Sequence, residues 1–157
     1  MNTEIERKFL VLDDTFKTLS SEKKYIKQGF LNSNKNRVVR VRILDDAAFL
    51  TVKGISNESG TSRFEWEKQI SVDDAQELMQ LCEPGMVEKY RYFHKIGAHT
   101  FEIDEFIGEN EGLVIAEVEL QNENDFFEKP DYLGEEVTGN QKYYNSNLSQ
   151  FPYKSWA

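Results

Sequence analysis

In one extended stretch after another, charged side chains of this chain alternate with apolar ones. Near the start, Glu4, Glu6 and Lys8 are interleaved with Ile5 and Arg7. Successive strand side chains point to opposite faces, so a strand here places Glu4, Glu6 and Lys8 together. The pattern returns with Arg40 and Arg42 against Val39, Val41 and Ile43, and with Phe49, Thr51 and Lys53 sharing a face. Arg63, Glu65 and Glu67 alternate with Phe64 and Trp66, and Lys89 pairs with Arg91 on one face. Glu102 falls with Asp104, and Glu117 with Glu119 against Ala116, Val118 and Leu120. This amounts to about eight strands joined mostly by short turns. Such a meander is expected to be antiparallel and to close on itself. Small barrels usually turn apolar residues inward. Here the charged faces are expected to line the lumen. The apolar faces then point outward, under the helices or under a second subunit, which leaves a homodimer open.

The helices are few. Asp13 and Asp14 precede a short amphipathic piece over Thr15 to Leu19. Ser71 with Asp74 opens a helix whose apolar stripe is Ala75, Leu78, Met79 and Cys82, and Pro84-Gly85 ends it. Asn122 to Lys129 reads as a short helix before Pro130. Thr138 with Gln141 resembles a capping box, opening a last helix through about Ser149. The 157 residues suffice for one domain with a sizeable core, taken as residues 1–157. The net charge of −9 argues against a nucleic-acid backbone as the main partner. Cys82 stands alone, so an intrachain disulfide is excluded and a reducing compartment is natural. There is no signal-like leader and no apolar run that would span a bilayer, so a cytoplasmic protein is expected.

A lumen carrying both signs of charge suggests its ligand. Clustered carboxylates are hard oxygen donors suited to Mg²⁺ or Mn²⁺. Arginine and lysine clusters suit phosphate oxygens. Together they describe a site for a metal-bound polyphosphate.

In order along the chain, Glu4-x-Glu6-x-Lys8, Gln28-Gly29-Phe30-Leu31, Arg40-x-Arg42, Thr51-Val52-Lys53, Glu65-x-Glu67, Glu88-Lys89-x-Arg91, Glu102-x-Asp104 and Glu117-x-Glu119 resemble the CYTH superfamily, the triphosphate tunnel metalloenzymes. Glu136-Val137-Thr138 and Tyr144-Asn145-x-Asn147-Leu148 are also similar to its short bacterial members. The resemblance implies an α+β fold dominated by β-structure: an eight-stranded antiparallel tunnel with short outer helices and a C-terminal plug helix. It implies that Glu4, Glu6, Glu117 and Glu119 hold divalent metal, with Asp104 nearby, and that Glu65 and Glu67 bind or position a second ion. Lys8, Arg40, Arg42, Lys53, Lys89 and Arg91 would bind phosphates, and Lys142 on the plug would reach the terminal one. Glu6, Lys8 and Arg42 fall at the catalytic centre. Glu102 and Asp104 read equally as counter-ions of the arginines. Arg63 reads as a salt-bridge partner, and the histidines as exposed. Phe30 stands where many short members carry Tyr, so a hydroxyl near Lys8 is missing. The activity implied is metal-dependent hydrolysis of tripolyphosphate or a related triphosphate by in-line attack of water. Alternatives are a class IV type adenylyl cyclase, a thiamine triphosphatase and a non-catalytic polyphosphate-binding protein.

Overall fold

A computed structural model describes residues 3–156; Met1, Asn2 and Ala157 of the expected domain lie outside the described residues. Among the described residues, nine strands form one antiparallel sheet: β1 (Thr3–Val11), β2 (Glu22–Asn32), β3 (Arg37–Leu44), β4 (Ala47–Ser56), β5 (Ser62–Ile70), β6 (Val87–Ile96), β7 (His99–Ile107), β8 (Val114–Glu119) and β9 (Leu133–Glu136). The order β5-β4-β3-β2-β6-β7-β8-β1 closes because Thr3, Glu4 and Ile5 of β1 also pair with Phe64, Arg63 and Ser62 of β5. The short β9 continues that edge of β1 beyond the end of β5, pairing with Phe9 and Val11. The expected eight-stranded barrel is therefore present, with one added strand.

Three apolar clusters hold the barrel, and they explain which faces are which. On the outside, Phe16 of α1 (Phe16–Leu19) packs with Phe9, Tyr92, Phe101, Ile103, Val118, Phe127 and Tyr132. Also outside, α2 (Val72–Met79) lays Ala75 on Val41 and Ala48. Its Ser71 hydroxyl accepts from the Asp74 N–H, the expected N-cap. The third cluster lies on the charged, inward strand faces. Phe30, Val38, Val87, Phe106 and Ile115 meet Leu148 of α3 (Asn145–Gln150). One end of the lumen is thus packed shut around α3, and the tunnel is blind.

Two expected helices are corrected. Residues 122–129 form no helix, because Asp125 takes the N–H groups of Gln121 and Asn122 into a local turn while Phe127 enters the outer core. Thr138 does not open the last helix: its hydroxyl accepts from Lys8 N–H at 2.9 Å and donates to Glu136. A single 3₁₀ turn at Gln141–Tyr143 follows, and the plug begins only at Asn145. The plug can sit close because Gly85 has φ 102°; a Cβ there would lie 1.8 Å from the Ser149 carbonyl oxygen.

Candidate active site

The blind lumen encloses a cavity of about 250 Å³. Its wall includes Glu4, Glu6, Lys8, Arg40, Arg42, Lys53, Glu65, Glu67, Lys89, Arg91, Glu117 and Glu119, twelve of the fourteen site residues expected from sequence. The two exceptions are instructive. Lys142 lies outside, exposed, with Nζ 4.1 Å from the Trp156 ring centroid. Asp104 sits behind the wall and not on it: it is 1% exposed, and both carboxylate oxygens are taken. Oδ1 accepts from Arg91 Nε at 2.7 Å. Oδ2 accepts from the other arm of Arg91 at 2.9 Å and from Lys89 Nζ at 2.7 Å.

Register sorts the charges onto opposite walls. On β1, β7 and β8, Glu6 is directly across from Glu119, and Glu102 from Glu117. Like charges so placed repel. Burial and the neighbouring Glu6 push the Glu117 carboxyl up, and burial with Glu4, Glu102 and Glu6 does the same to Glu119. β3, across the lumen from β8, and β6, next to β7, bring Arg40, Arg42, Lys89 and Arg91 together. Burial with Arg40 and Arg91 lowers Arg42 to about 9, and burial lowers Lys89 to about 8 despite Asp104. The buried Nε atoms of Arg40 and Arg42 have no hydrogen-bond partner. Glu67 partly offsets this wall, accepting from Thr51 at 2.8 Å with Arg42 at 3.4 Å and Arg40 at 3.7 Å.

Two lysines link the walls. Lys8 Nζ is 3.7 Å from Glu117, and Lys53 Nζ is 3.4 Å from Glu4. Lys8 is buried, which would lower its pKa, yet Glu117, Glu6, Tyr144 and Glu4 together hold it above the usual lysine value. It is a fixed cation. Phe30, with no hydroxyl, is buried beneath the basic wall; the ring facing Lys8 is that of Tyr144, 5.3 Å from Nζ. Arg63 also lines the cavity and stacks at 5.4 Å on the same ring.

Sequence reasoning did not assign Tyr144, Asn145, Ser146, Thr138 or the Gly60–Gly139 contact to the lumen. All but Gly60 come from the C-terminal segment. The signal for them was present in the Tyr144-Asn145-x-Asn147 run. Gly60 and Gly139 cross so closely that a Cβ on Gly60 would lie 2.1 Å from the Gly139 Cα. His94 is not free in solvent as expected: Nδ1 meets the Tyr132 hydroxyl at 2.7 Å. Trp66 and Trp156 lie outside the cavity.

A closed antiparallel barrel whose lumen is charged, blind and divided into an acidic and a basic wall defines a narrow class of protein. The chain belongs to the CYTH domain family, whose model matches residues 2–152. It is 49% identical over 157 residues to the inorganic triphosphatase of Acetivibrio thermocellus, covering 99% of both chains. It is 37% identical to the inorganic triphosphatase of Nitrosomonas europaea, over 94% of this chain and 97% of that one. Among solved structures it resembles the crystal structure of the inorganic triphosphatase NE1496, with a TM-score of 0.65, 34% identity and 95% of each chain covered.

Proposed function

We propose that this chain is a cytoplasmic, divalent-metal-dependent triphosphatase that hydrolyses inorganic tripolyphosphate to pyrophosphate and orthophosphate. The observation that carries the reading is the division of one 250 Å³ cavity into walls that are each self-repelling, one for cations and one for anions. A metal-bound polyphosphate relieves both. The relatives named inorganic triphosphatase support the same substrate class.

The carboxylates fit a hard divalent ion by donor chemistry. Glu4, Glu6, Glu117 and Glu119 would hold it, with Glu65 on the neighbouring strand near Lys53. Among the described residues no three acidic, histidine or cysteine side chains converge into a finished cage. The remaining ligands would be phosphate oxygens and water, as Mg²⁺ favours. When bound, Mg²⁺ or Mn²⁺ supplies charge neutralisation and alignment of the phosphate chain. Asp104 is better suited to positioning, since its oxygens already hold Lys89 and Arg91.

The basic wall holds the phosphoryl oxygens in place before reaction and needs little rearrangement. Lys8, Arg40, Arg42, Lys53, Lys89 and Arg91 surround the chain. Arg42, whose guanidinium lines the cavity, would stabilise charge as it grows on the transferring group. Water attacks the terminal phosphorus in line, a new O–P bond forms, and the bridging P–O bond breaks. The acidic wall receives the proton of the attacking water. The cationic wall stabilises the pyrophosphate that leaves.

The test is a phosphate-release screen of purified protein on tripolyphosphate, ATP and thiamine triphosphate, with Mg²⁺, Mn²⁺ or EDTA. Tripolyphosphate is expected to give the highest kcat/KM, and EDTA to abolish turnover. Cyclic AMP and pyrophosphate from ATP would replace this reading with the cyclase; binding without turnover would replace it with a carrier.

A further inference from the structure

The plug was expected to bring Lys142 to the substrate, and it brings a neutral amide. Asn145, first residue of α3, lines the cavity. Its Oδ1 accepts two hydrogen bonds, from Lys89 Nζ at 2.8 Å and from Gln28 Nε2 at 2.8 Å. Lysine can only donate, so its approach decides which end of the Asn145 amide faces it. With both lone pairs of Oδ1 used, Nδ2 of this cavity-lining residue has no acceptor among the described residues. Gln28 and Lys89, the two donors that fix the amide, are 0% and 1% exposed.

We propose that Asn145 is a substrate-binding residue, donating from Nδ2 to the innermost phosphoryl group while its Oδ1 aims Lys89 at the same group. This rests on the triphosphatase reading. Lys89 has three N–H donors. Asp104 and Asn145 take two, and the third is left for the phosphate. A neutral donor suits this position. Burial, with the positive charge of Arg40 and Arg91, already depresses Arg42, and another cation would add repulsion. An amide adds direction and no charge. The C-terminal segment is therefore part of the binding site as well as its stopper, and it completes the site only when α3 is seated.

The experiment compares wild type, Asn145→Asp and Asn145→Ala by titration calorimetry with tripolyphosphate in EDTA, by steady-state kinetics with Mg²⁺, and by thermal melts. Asn145→Asp keeps an acceptor for Lys89 and Gln28 but turns an oxygen anion toward the phosphate. Its affinity for tripolyphosphate is expected to fall about 10- to 100-fold, with KM rising in step and the melting temperature held or raised. A purely structural asparagine predicts the reverse, with Asp an adequate substitute and binding unchanged. Wild-type Kd and KM in folded Asn145→Asp overturn the inference. Should that variant not fold, Asn145→Ala decides in the same way: wild-type Kd in folded protein overturns it, and weakened binding supports it. Binding by wild type without hydrolysis would remove the triphosphatase reading and leave Asn145 judged on its Kd ratio. Should wild type bind tripolyphosphate only with metal, the KM ratio with Mg²⁺ decides in place of Kd; wild type showing neither binding in EDTA nor turnover with Mg²⁺ overturns both.

Discussion

Replacing Asp104 by Asn separates a buried counter-ion from a metal ligand. The carboxylate makes three short contacts to Lys89 and Arg91, between 2.7 and 2.9 Å. Against its burial, these cations hold its carboxyl well below the usual range. Neutralising it strands Lys89, 1% exposed, and Arg91, 9% exposed, beside Arg40 and Arg42. Removing one partner of such a buried pair costs about 3–5 kcal/mol. Each kcal/mol moves the melting temperature of a domain this size by about 2–4 °C. The variant is therefore expected to melt roughly 6–20 °C lower, a large part of a total stability of about 5–15 kcal/mol. The assay is calorimetric melting at neutral pH in EDTA, so that no metal contributes. A metal ligand predicts something else: without metal, an Asn at this position would leave the melt unchanged or raise it, and only metal titrations would differ. A metal-free melt within about 2 °C of wild type would refute the counter-ion argument.

Three further outcomes follow from the same geometry. Glu119→Gln removes a charge facing Glu6 across the strands, so the metal-free melt should hold or rise while tripolyphosphate turnover drops on the order of 100-fold; a lower melt with unchanged turnover contradicts this. Gly85→Ala places a Cβ against the Ser149 carbonyl in an already left-handed backbone, and should cost about 1–3 kcal/mol or more in a denaturant titration while raising KM through a displaced plug. Burial lowers the pKa of His94, so the unfolded chain takes up this proton first; stability should fall as pH drops below about 6.5, and melts of His94→Gln at pH 5 and 7.5 should differ less than those of wild type.

The barrel was legible in the sequence because its lumen is polar. Period-two alternation identifies a half-buried strand whichever side is wet, and the runs from Glu4 to Lys8 and Glu117 to Glu119 carried the assignment. What alternation leaves out is register. Glu102 and Asp104 share a strand face and look equivalent in sequence. Asp104 is opposite Arg91 and is sealed beneath it, while Glu102 pairs with Phe93 and reaches the cavity. The C-terminal segment was harder for another reason. Thr138 and Gln141 have the spacing of a cap, but a hydroxyl accepts from any N–H that reaches it. Here Lys8, some 130 residues away, reached it first. Asn145 carries no charge and so stood outside every charge pattern used to find the site. Lys142 did carry one and was drawn out to Trp156.

The division of labour among the apolar clusters explains how the fold sustains such a cavity. Two self-repelling walls cannot stabilise the barrel, and their burial costs free energy wherever pairing is incomplete. The outer clusters around Phe16 and Ala75 support the strands from behind, leaving the inward faces of β1, β3, β6 and β8 free for charge. The inner cluster of Phe30, Val87, Phe106, Ile115 and Leu148 fills only the blind end. It fixes α3 by apolar contact, and α3 in turn presents Asn145 at the boundary where the apolar lumen becomes polar. Strain from unmatched charge is thus confined to the stretch between that boundary and the open mouth. A ligand carrying phosphate oxygens toward Arg40 and Arg42 and a cation toward Glu6 and Glu119 would supply the missing partners in that stretch. The charges that weaken the barrel would then be the ones that select its ligand, so substitutions that neutralise the acidic wall should trade binding for stability, while loss of Asp104 should cost both.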